Sequence, residues 1–240
     1  MKVEPHPCFI LHQRPYRETS SLLDIFSRDH GRVSLIAKGA RRGGSRFSGL
    51  LNLYWRLLVG WQGKSELMTL TAVEPDGANN TLINKALIAG FYLNELIMRM
   101  LHQHESHPEL FVAYDKTIST LADKGTEQSA IRLFEKHLLQ SLGYGLILDH
   151  DTGSGMDIDP DSEYYYRSDY GPSLQKPSHS NYIKISGKTL CDINEELFTS
   201  EKTLIESKKI MRFVLNRHLN GRPLASRNLY QSYISKLSSE

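Results

Sequence analysis

Arg32, Lys38, Arg41, Arg42, Arg46, Arg56 and Lys64 fall between His30 and Glu66 with no acidic residue among them. The whole chain is nearly neutral, with 29 Lys+Arg against 27 Asp+Glu, so the stretch is a strong local excess on a net charge of +2. Cations set so close repel one another unless an anion binds them, and a phosphate backbone is the commonest such anion. Lys and Arg on phosphates position a nucleic acid without reading its bases, so low sequence specificity and steep salt dependence are expected. Lys38, Arg41, Arg42 and Arg46 form the centre of the candidate patch, Arg32 and Lys64 share its interval, and Arg14 and Arg17 would extend it. Tyr16, Tyr54, Trp55 and Trp61 lie near these cations in sequence and could stack on bases, as aromatic side chains of single-strand binders do. Alternation favours the core for Trp55, whereas Trp61, in a turn between Gly60 and Gly63, is open between core and surface.

A second chemistry is offered by carboxylates. Asp149, Asp151, Asp157, Asp159, Asp161, Glu163 and Asp169 are accompanied by only one base, Arg167, up to position 169. Carboxylate clusters can hold Mg²⁺ or Ca²⁺, so a metal-dependent nuclease using residues 149–163 is the alternative function. A calcium loop counted from Asp157 requires Gly at its sixth position and Glu at its twelfth, but Ser162 and Ser168 stand there. A solvated surface loop is the simpler reading. His102, His104 and His107 alternate at a helix end without making a site. No Gly-x-x-x-x-Gly-Lys-[Ser/Thr] phosphate loop occurs, so no ATPase is indicated. No catalytic residue, metal site or cofactor is assigned, and the protein is expected not to be an enzyme.

The elements that must carry these groups change character along the chain. Cys8–His12, Leu22–Ser27, Val33–Ala37, Leu53–Val59 and Leu67–Val73 read as five short strands, the second and third forming a hairpin around Asp29-His30-Gly31. Gly43-Gly44-Ser45 should break the third strand into a flexible loop. Five strands in so short a span suggest a five-stranded OB-type barrel, a fold whose common ligands are oligonucleotides. From Asn80 the apolar residues recur at three- and four-residue intervals, giving a helix through Leu82, Ala86, Tyr92, Leu96 and Met100. Further helices are expected from Pro108 to a stop at Gly125-Thr126, from Glu127 to Leu142, from Ser200 to Leu219 and from Ser226 to Leu237. Residues 149–182 read as a long acidic loop with a short hairpin, Glu163–Arg167 and Gly171-Pro172. The fold class is therefore α+β multidomain: an N-terminal barrel over 1–79, then a C-terminal helical domain over 80–240 with 149–182 as an irregular insert.

Hydrophobic residues make up 40% of the 240, enough for a real core. Cys8 and Cys191 have no metal or redox spacing and suit a reducing compartment as two buried thiols. No apolar run reaches the ~18 residues of a membrane span, and Met1–Cys8 lacks the apolar stretch of a signal peptide. The expected location is the cytoplasm.

Phe9–Ser20 followed by Gly31-Arg32-Val33-Ser34-Leu35-Ile36-Ala37-Lys38-Gly39-Ala40-Arg41 resembles the amino-terminal signature of bacterial RecO recombination mediators. Gly90-Phe91-Tyr92-Leu93-Asn94-Glu95-Leu96, Arg132–Leu139 and Leu142-Gly143-Tyr144-Gly145 resemble the same family in the same order, so the likeness spans essentially the whole chain. The resemblance implies an OB barrel followed by a helical domain, and a protein that binds single- and double-stranded DNA and anneals complementary strands in the RecFOR pathway of recombinational DNA repair. It further implies action with RecR to load RecA, and binding of the acidic C-terminal tail of single-stranded DNA-binding protein. By the same resemblance that tail is placed at Arg132, Leu133 and Lys136; Lys208 and Arg212, on the basic C-terminal helix, could supply neighbouring charge or a second DNA surface. Many members carry a four-cysteine zinc site after the Leu-Gly-Tyr motif. Residues 149–182 contain no cysteine here, so no structural zinc of the cysteine type is expected.

Overall fold

A computed structural model describes residues 2–123, 127–178, 180–219 and 221–237. Five strands open the chain: β1 (Lys2–Tyr16), β2 (Ser20–Ser27), β3 (Gly31–Ala37), β4 (Trp55–Gln62) and β5 (Leu67–Asn79). They close into a barrel in the order β1-β2-β3-β5-β4, with β3 and β5 parallel and the remaining pairs antiparallel. This is the five-stranded OB architecture the alternation suggests. Alternate residues of each strand turn inward, and Ile10, Ile25, Leu35, Leu57, Val59 and Trp61 are among those that fill the interior.

β1 is far longer than the Cys8–His12 expected. Its first half pairs with β4 and its second half with β2, so one strand serves two neighbours. Pro5 disguises this in the sequence because proline cannot donate to a ladder; it falls where the β1–β4 register shifts between Val3 and His6. A second irregularity lies between Ile10 and His12. There the Leu11 carbonyl accepts a hydrogen bond from the Asn94 carboxamide at 2.7 Å.

Three helices follow: α1 (Asn84–Met100), α2 (Pro108–Ala122) and α3 (Glu127–Ser141). Pro108 occupies the first turn of α2, where its missing N–H costs nothing. The Gly125-Thr126 stop expected after α2 lies outside the described residues. α2 packs on the outside of the barrel through an aromatic seam: Phe9 meets Phe111 and Tyr114, and so does Phe26, at centroid separations of 4.9–6.2 Å. Tyr114 Oη donates to the Asn94 side-chain oxygen at 2.6 Å, so Asn94 links β1, α1 and α2.

The region expected as an acidic loop is more ordered than its composition suggests. β6 (Glu163–Arg167) pairs with β7 (Gly171–Ser173) as a hairpin, and β8 (Ile183–Ser186) joins β6 on its other side. Two elements then appear where none was expected, β8 itself and the short α4 (Gly187–Asn194). Ser186 caps α4 by accepting from Thr189 N–H, and Ser200 caps α5 (Glu201–His218) by accepting from Thr203 N–H. α6 (Ala225–Leu237) ends the described chain.

The chain folds into two compact units. Unit 1 comprises Met1–Gly125 together with Leu224–Glu240, and unit 2 comprises Thr126–Pro223. Unit 1 thus contains the barrel, α1, α2 and α6; unit 2 contains α3, the three-stranded sheet, α4 and α5. Within unit 1 the Glu95 carboxylate of α1 caps α6, accepting from the backbone N–H groups of Ala225 and Ser226 and from the Ser226 hydroxyl. No helix among the described residues is long and apolar enough to cross a membrane.

Candidate nucleic-acid interface

The seven cations of the 31–65 interval divide into three groups. Two are used inside unit 1. Arg32 is half-buried, and its guanidinium donates to the carbonyl oxygens of Met98 and Leu101 at the end of α1. Burial pulls its pKa below the ordinary arginine value, although Asp24 works in the opposite direction. Arg56 bridges Asp76 at 2.7 Å and Asp115 at 2.9 Å, and the Asp76 carboxylate leads the upward shift of its pKa. Arg32 is accordingly removed from the cations available to a partner, because its guanidinium satisfies backbone carbonyls.

Lys64 forms the second group. It is exposed in the β4–β5 turn, and the register puts that turn beside the start of β1 and the β2–β3 turn: Gln62 pairs with Lys2, Leu67 with Ser34, and Trp61 meets the His30 ring at 5.3 Å. The remaining cations lie at the opposite rim. Ser21 pairs with Ala37, which sets the β1–β2 turn, with Arg17, against the end of β3, with Lys38. Lys64 and Lys38 therefore do not share one patch.

At that opposite rim Arg41 acts as a pin. Its backbone N–H donates to Thr19 O at 2.8 Å, its Nε to Ser20 O at 3.1 Å, and its Nη2 to the carbonyls of Arg17 at 2.6 Å and Glu18 at 2.8 Å. The basic loop after β3 is thereby tied to the β1–β2 turn. The loop is not the loose segment its glycines suggest. Successive tight turns run from Gly39 to Leu50, with Arg42 N–H donating to Gly39 O, Ser45 to Arg42, Ser48 to Ser45 and Leu50 to Phe47. Phe47 is part of the barrel core, and Ala40, Leu50, Leu51 and Leu53 pack against that core, so the loop closes over the rim. Lys38, Arg42 and Arg46 are left exposed, the Arg46 guanidinium lying 4.6 Å from the Phe47 ring centroid. Arg14 and Arg17 are exposed on the neighbouring hairpin. Arg17 stands at φ 52°, a left-handed conformation that a turn imposes on it.

Of the four aromatic stacking candidates, two are lost to the core. Trp61 is fully buried, and Tyr54 is 3% exposed. The Gly-flanked turn that left Trp61 open in the sequence in fact begins after it, since Trp61 is still inside β4. Trp55 and Tyr16 are half-buried.

Beside the basic rim lies a cleft of about 550 Å³ lined in part by Leu11, Gln13, Arg41, Leu53 and Phe91. Phe91, 37% exposed, is an aromatic on the solvent side of α1. In the sequence Phe91 stands out only as part of the Gly90–Leu96 motif. Its usable signal was negative: it falls outside the apolar stripe that Tyr92, Leu93, Leu96 and Ile97 make on the helix. Tyr54 holds it from behind in an edge contact with centroids 6.3 Å apart. Tyr54 itself has φ 67°, and Gly90 is required beneath it, because a Cβ there would lie 2.7 Å from the Tyr54 ring.

In unit 2 the tail candidates also separate. Arg132 is 8% exposed and pairs at 2.6 Å with Glu135, which is fully buried. Leu133 is half-buried. Lys136 is turned toward the end of α4, donating to Asn194 O at 3.0 Å and Glu196 at 3.1 Å. Lys208 and Arg212 are exposed on α5. Burial of the ammonium, then the charges of Arg212 and Arg132, lower the Lys208 pKa.

Several carboxylates of 149–169 are engaged locally, two of them in turns. Asp151 accepts from Gly153 N–H and the Ser154 hydroxyl, Asp159 from Asp161 N–H and the Ser162 hydroxyl, and Asp149 contacts the His150 ring. Among the described residues no group of three or more His, Cys, Asp or Glu converges as a metal site would require. Cys8 is buried and burial pushes its thiol up to about 12, whereas Cys191 is only half-buried.

Comparison with known proteins adds to this geometry. Residues 1–77 match the family described as Recombination protein O N terminal, and residues 85–228 match Recombination protein O C terminal. The chain is 39% identical over 231 residues to the DNA repair protein RecO of Nitrosospira multiformis, covering 96% of each chain. It is 40% identical over 233 residues to that of Dechloromonas aromatica, again over 96% of each. The RecO of Methylococcus capsulatus is 43% identical over 224 residues, 93% of this chain and 91% of the relative.

Proposed function

The chain belongs to the Recombination protein O family of DNA repair proteins, and from that premise we propose that it is a non-catalytic, DNA-binding mediator of recombination. It binds single- and double-stranded DNA through the rim made by Arg14, Arg17, Lys38, Arg42 and Arg46, with Arg41 holding the loop in place. The observation that carries this reading is the pinning of the basic loop to the β1–β2 turn by four Arg41 hydrogen bonds, which gathers exposed cations from two segments on one rim. A loop held in place in this way suits a phosphate backbone, because the cost of ordering its main chain has been met before the nucleic acid arrives.

Annealing follows from the same surface. Two complementary strands repel through their phosphates; a protein that neutralises both lets base pairing supply the free energy, and no nucleotide hydrolysis is needed. The mediator role includes cooperation with RecR, loading of RecA and capture of the acidic tail of single-stranded DNA-binding protein, in the cytoplasm and at the nucleoid. For the tail, Lys208 and Arg212 are the accessible cations and Arg132 backs them from within. Ion pairing of Arg132 with Glu135 means the tail carboxylate meets Arg212 before Arg132.

The test is a titration of single-stranded and duplex oligonucleotides at several salt concentrations with the full chain and with a Lys38→Ala, Arg42→Ala, Arg46→Ala triple variant. Loss of three phosphate contacts lowers the single-strand salt slope by about 2, at ~0.7 per contact. An unchanged slope and affinity would overturn the assignment of this rim.

A further inference from the structure

We infer that the cleft between Arg41 and Phe91 is a nucleobase subsite, which takes one unstacked base of a single strand whose phosphates run along the basic rim. The inference rests on the proposed DNA-binding reading and adds to it the place where a base leaves the strand.

Three observations converge. The first is chemical complementarity. The cleft has an aromatic face, Phe91, a planar cation, Arg41, and the Gln13 carboxamide among its walls. Base stacking on an aromatic ring is indifferent to base identity because every base has a π face. Arginine adds a flat cationic surface that stacks as well as pairs, and here it is immobilised by three carbonyl oxygens. The second observation is that Phe91 is held in place from behind. Tyr54 supports it in a left-handed conformation unusual for a non-glycine residue, and Gly90 gives up its side chain so that the Tyr54 ring can fit. A non-glycine backbone in that region is strained and persists where the surroundings impose it, often at ligand clamps. The third is position. Arg41 belongs both to the cleft wall and to the loop that displays Lys38, Arg42 and Arg46, so a strand bound along the rim passes the mouth of the cleft.

A duplex keeps its bases stacked and paired, so only single strands can use such a subsite. Phe91 therefore acts in the discrimination between single and double strands, whereas the rim cations serve both. A volume of about 550 Å³ is ample for a base together with ordered water.

The experiment compares wild type, Phe91→Ala and Phe91→Trp on a single-stranded oligonucleotide and its duplex, beside the triple cation variant. Phe91 is exposed, and thermal melting checks that each variant is folded. Phe91→Ala should weaken single-strand binding roughly 5- to 100-fold, the loss of one stacked base, with duplex affinity and both salt slopes unchanged. Phe91→Trp should restore single-strand affinity, and its added fluorescence, measured against wild type, should be quenched by the single strand and not by the duplex. If folded Phe91→Ala binds the single strand as tightly as wild type while the triple variant loses affinity, the subsite is refuted and the rim stands. If neither change matters, the rim falls together with the subsite.

Discussion

Arg132 and Glu135 lie one turn apart on α3 and meet at 2.6 Å, with the glutamate wholly removed from solvent. A buried carboxylate is favoured by a guanidinium beside it, and losing that guanidinium leaves more of its desolvation cost uncompensated. Arg132 therefore has a structural duty in addition to the partner-binding one proposed for its neighbourhood. Arg132→Ala is expected to destabilise unit 2 by about 3–5 kcal/mol, read as a fall in the urea midpoint. Arg132→Ala with Glu135→Leu should recover much of the loss. Binding of an acidic tail peptide should then be tested on Arg212→Ala, whose side chain is exposed and whose removal leaves unit 2 folded.

Arg32 sits in the middle of the basic stretch and behaves as a scaffold residue. Arg32→Ala removes the hydrogen bonds to Met98 O and Leu101 O. A bond from a charged donor contributes about 1.5–3 kcal/mol, so a measurable drop in stability is expected. The salt slope of DNA binding should be the same as for wild type. A slope reduced to the degree seen for the triple rim variant would put Arg32 back among the phosphate contacts.

Lys64 provides the complementary control. It is a free-standing surface cation at the other end of the barrel from Lys38, so Lys64→Ala should change neither stability nor the apparent number of phosphates contacted by a short oligonucleotide. An effect that appears only with longer DNA would mean that the strand continues past the first rim.

Acid should loosen α6 before it affects the barrel. Burial tends to raise the Glu95 pKa, but hydrogen bonds from the Ser226 hydroxyl, Ser226 N–H and Ala225 N–H, with the Arg99 charge, outweigh this and hold it below 4.5. A carboxyl with a depressed folded pKa contributes stability above its unfolded pKa and loses it as pH falls through the folded value. Amide exchange at the start of α6 should accelerate as pH is lowered below about 4.5 relative to barrel amides, after correction for intrinsic rates. Glu95→Gln should show the faster exchange already at neutral pH and no acid step.

The barrel was readable in the sequence because its inward residues alternate, and the long helices because their apolar residues recur every three or four positions. β8 and α4 escaped because each is short: Ile183–Ser186 offers one alternation, and Gly187–Asn194 two turns. The length of β1 escaped because prolines and polar residues punctuate a strand that changes partner midway. For the candidate site, the excess of charge was legible and its partition was not. Nothing in the local sequence distinguishes Arg32, which reaches 66 and 69 positions ahead to bond carbonyls, from Arg42, which remains exposed. The Tyr-Leu-Asn-Glu-Leu motif was recognisable as a motif, but what its polar pair does required coordinates: Asn94 satisfies the irregular stretch of β1, and Glu95 caps a helix some 130 residues away.

That distance sets an order of assembly. The ribosome finishes the barrel, α1 and α2 early, then makes all of Thr126–Pro223 before it delivers α6. At about 5–20 residues per second the interval is roughly 5–20 s. Through that time the Glu95 carboxylate has no helix to cap, and the α1 face that will receive α6 stays bare. The first unit begun is thus the last completed, and a nascent chain stalled or cut before Leu224 carries a finished barrel with an open flank. Such a fragment should be a substrate for chaperones and proteases that the full chain escapes.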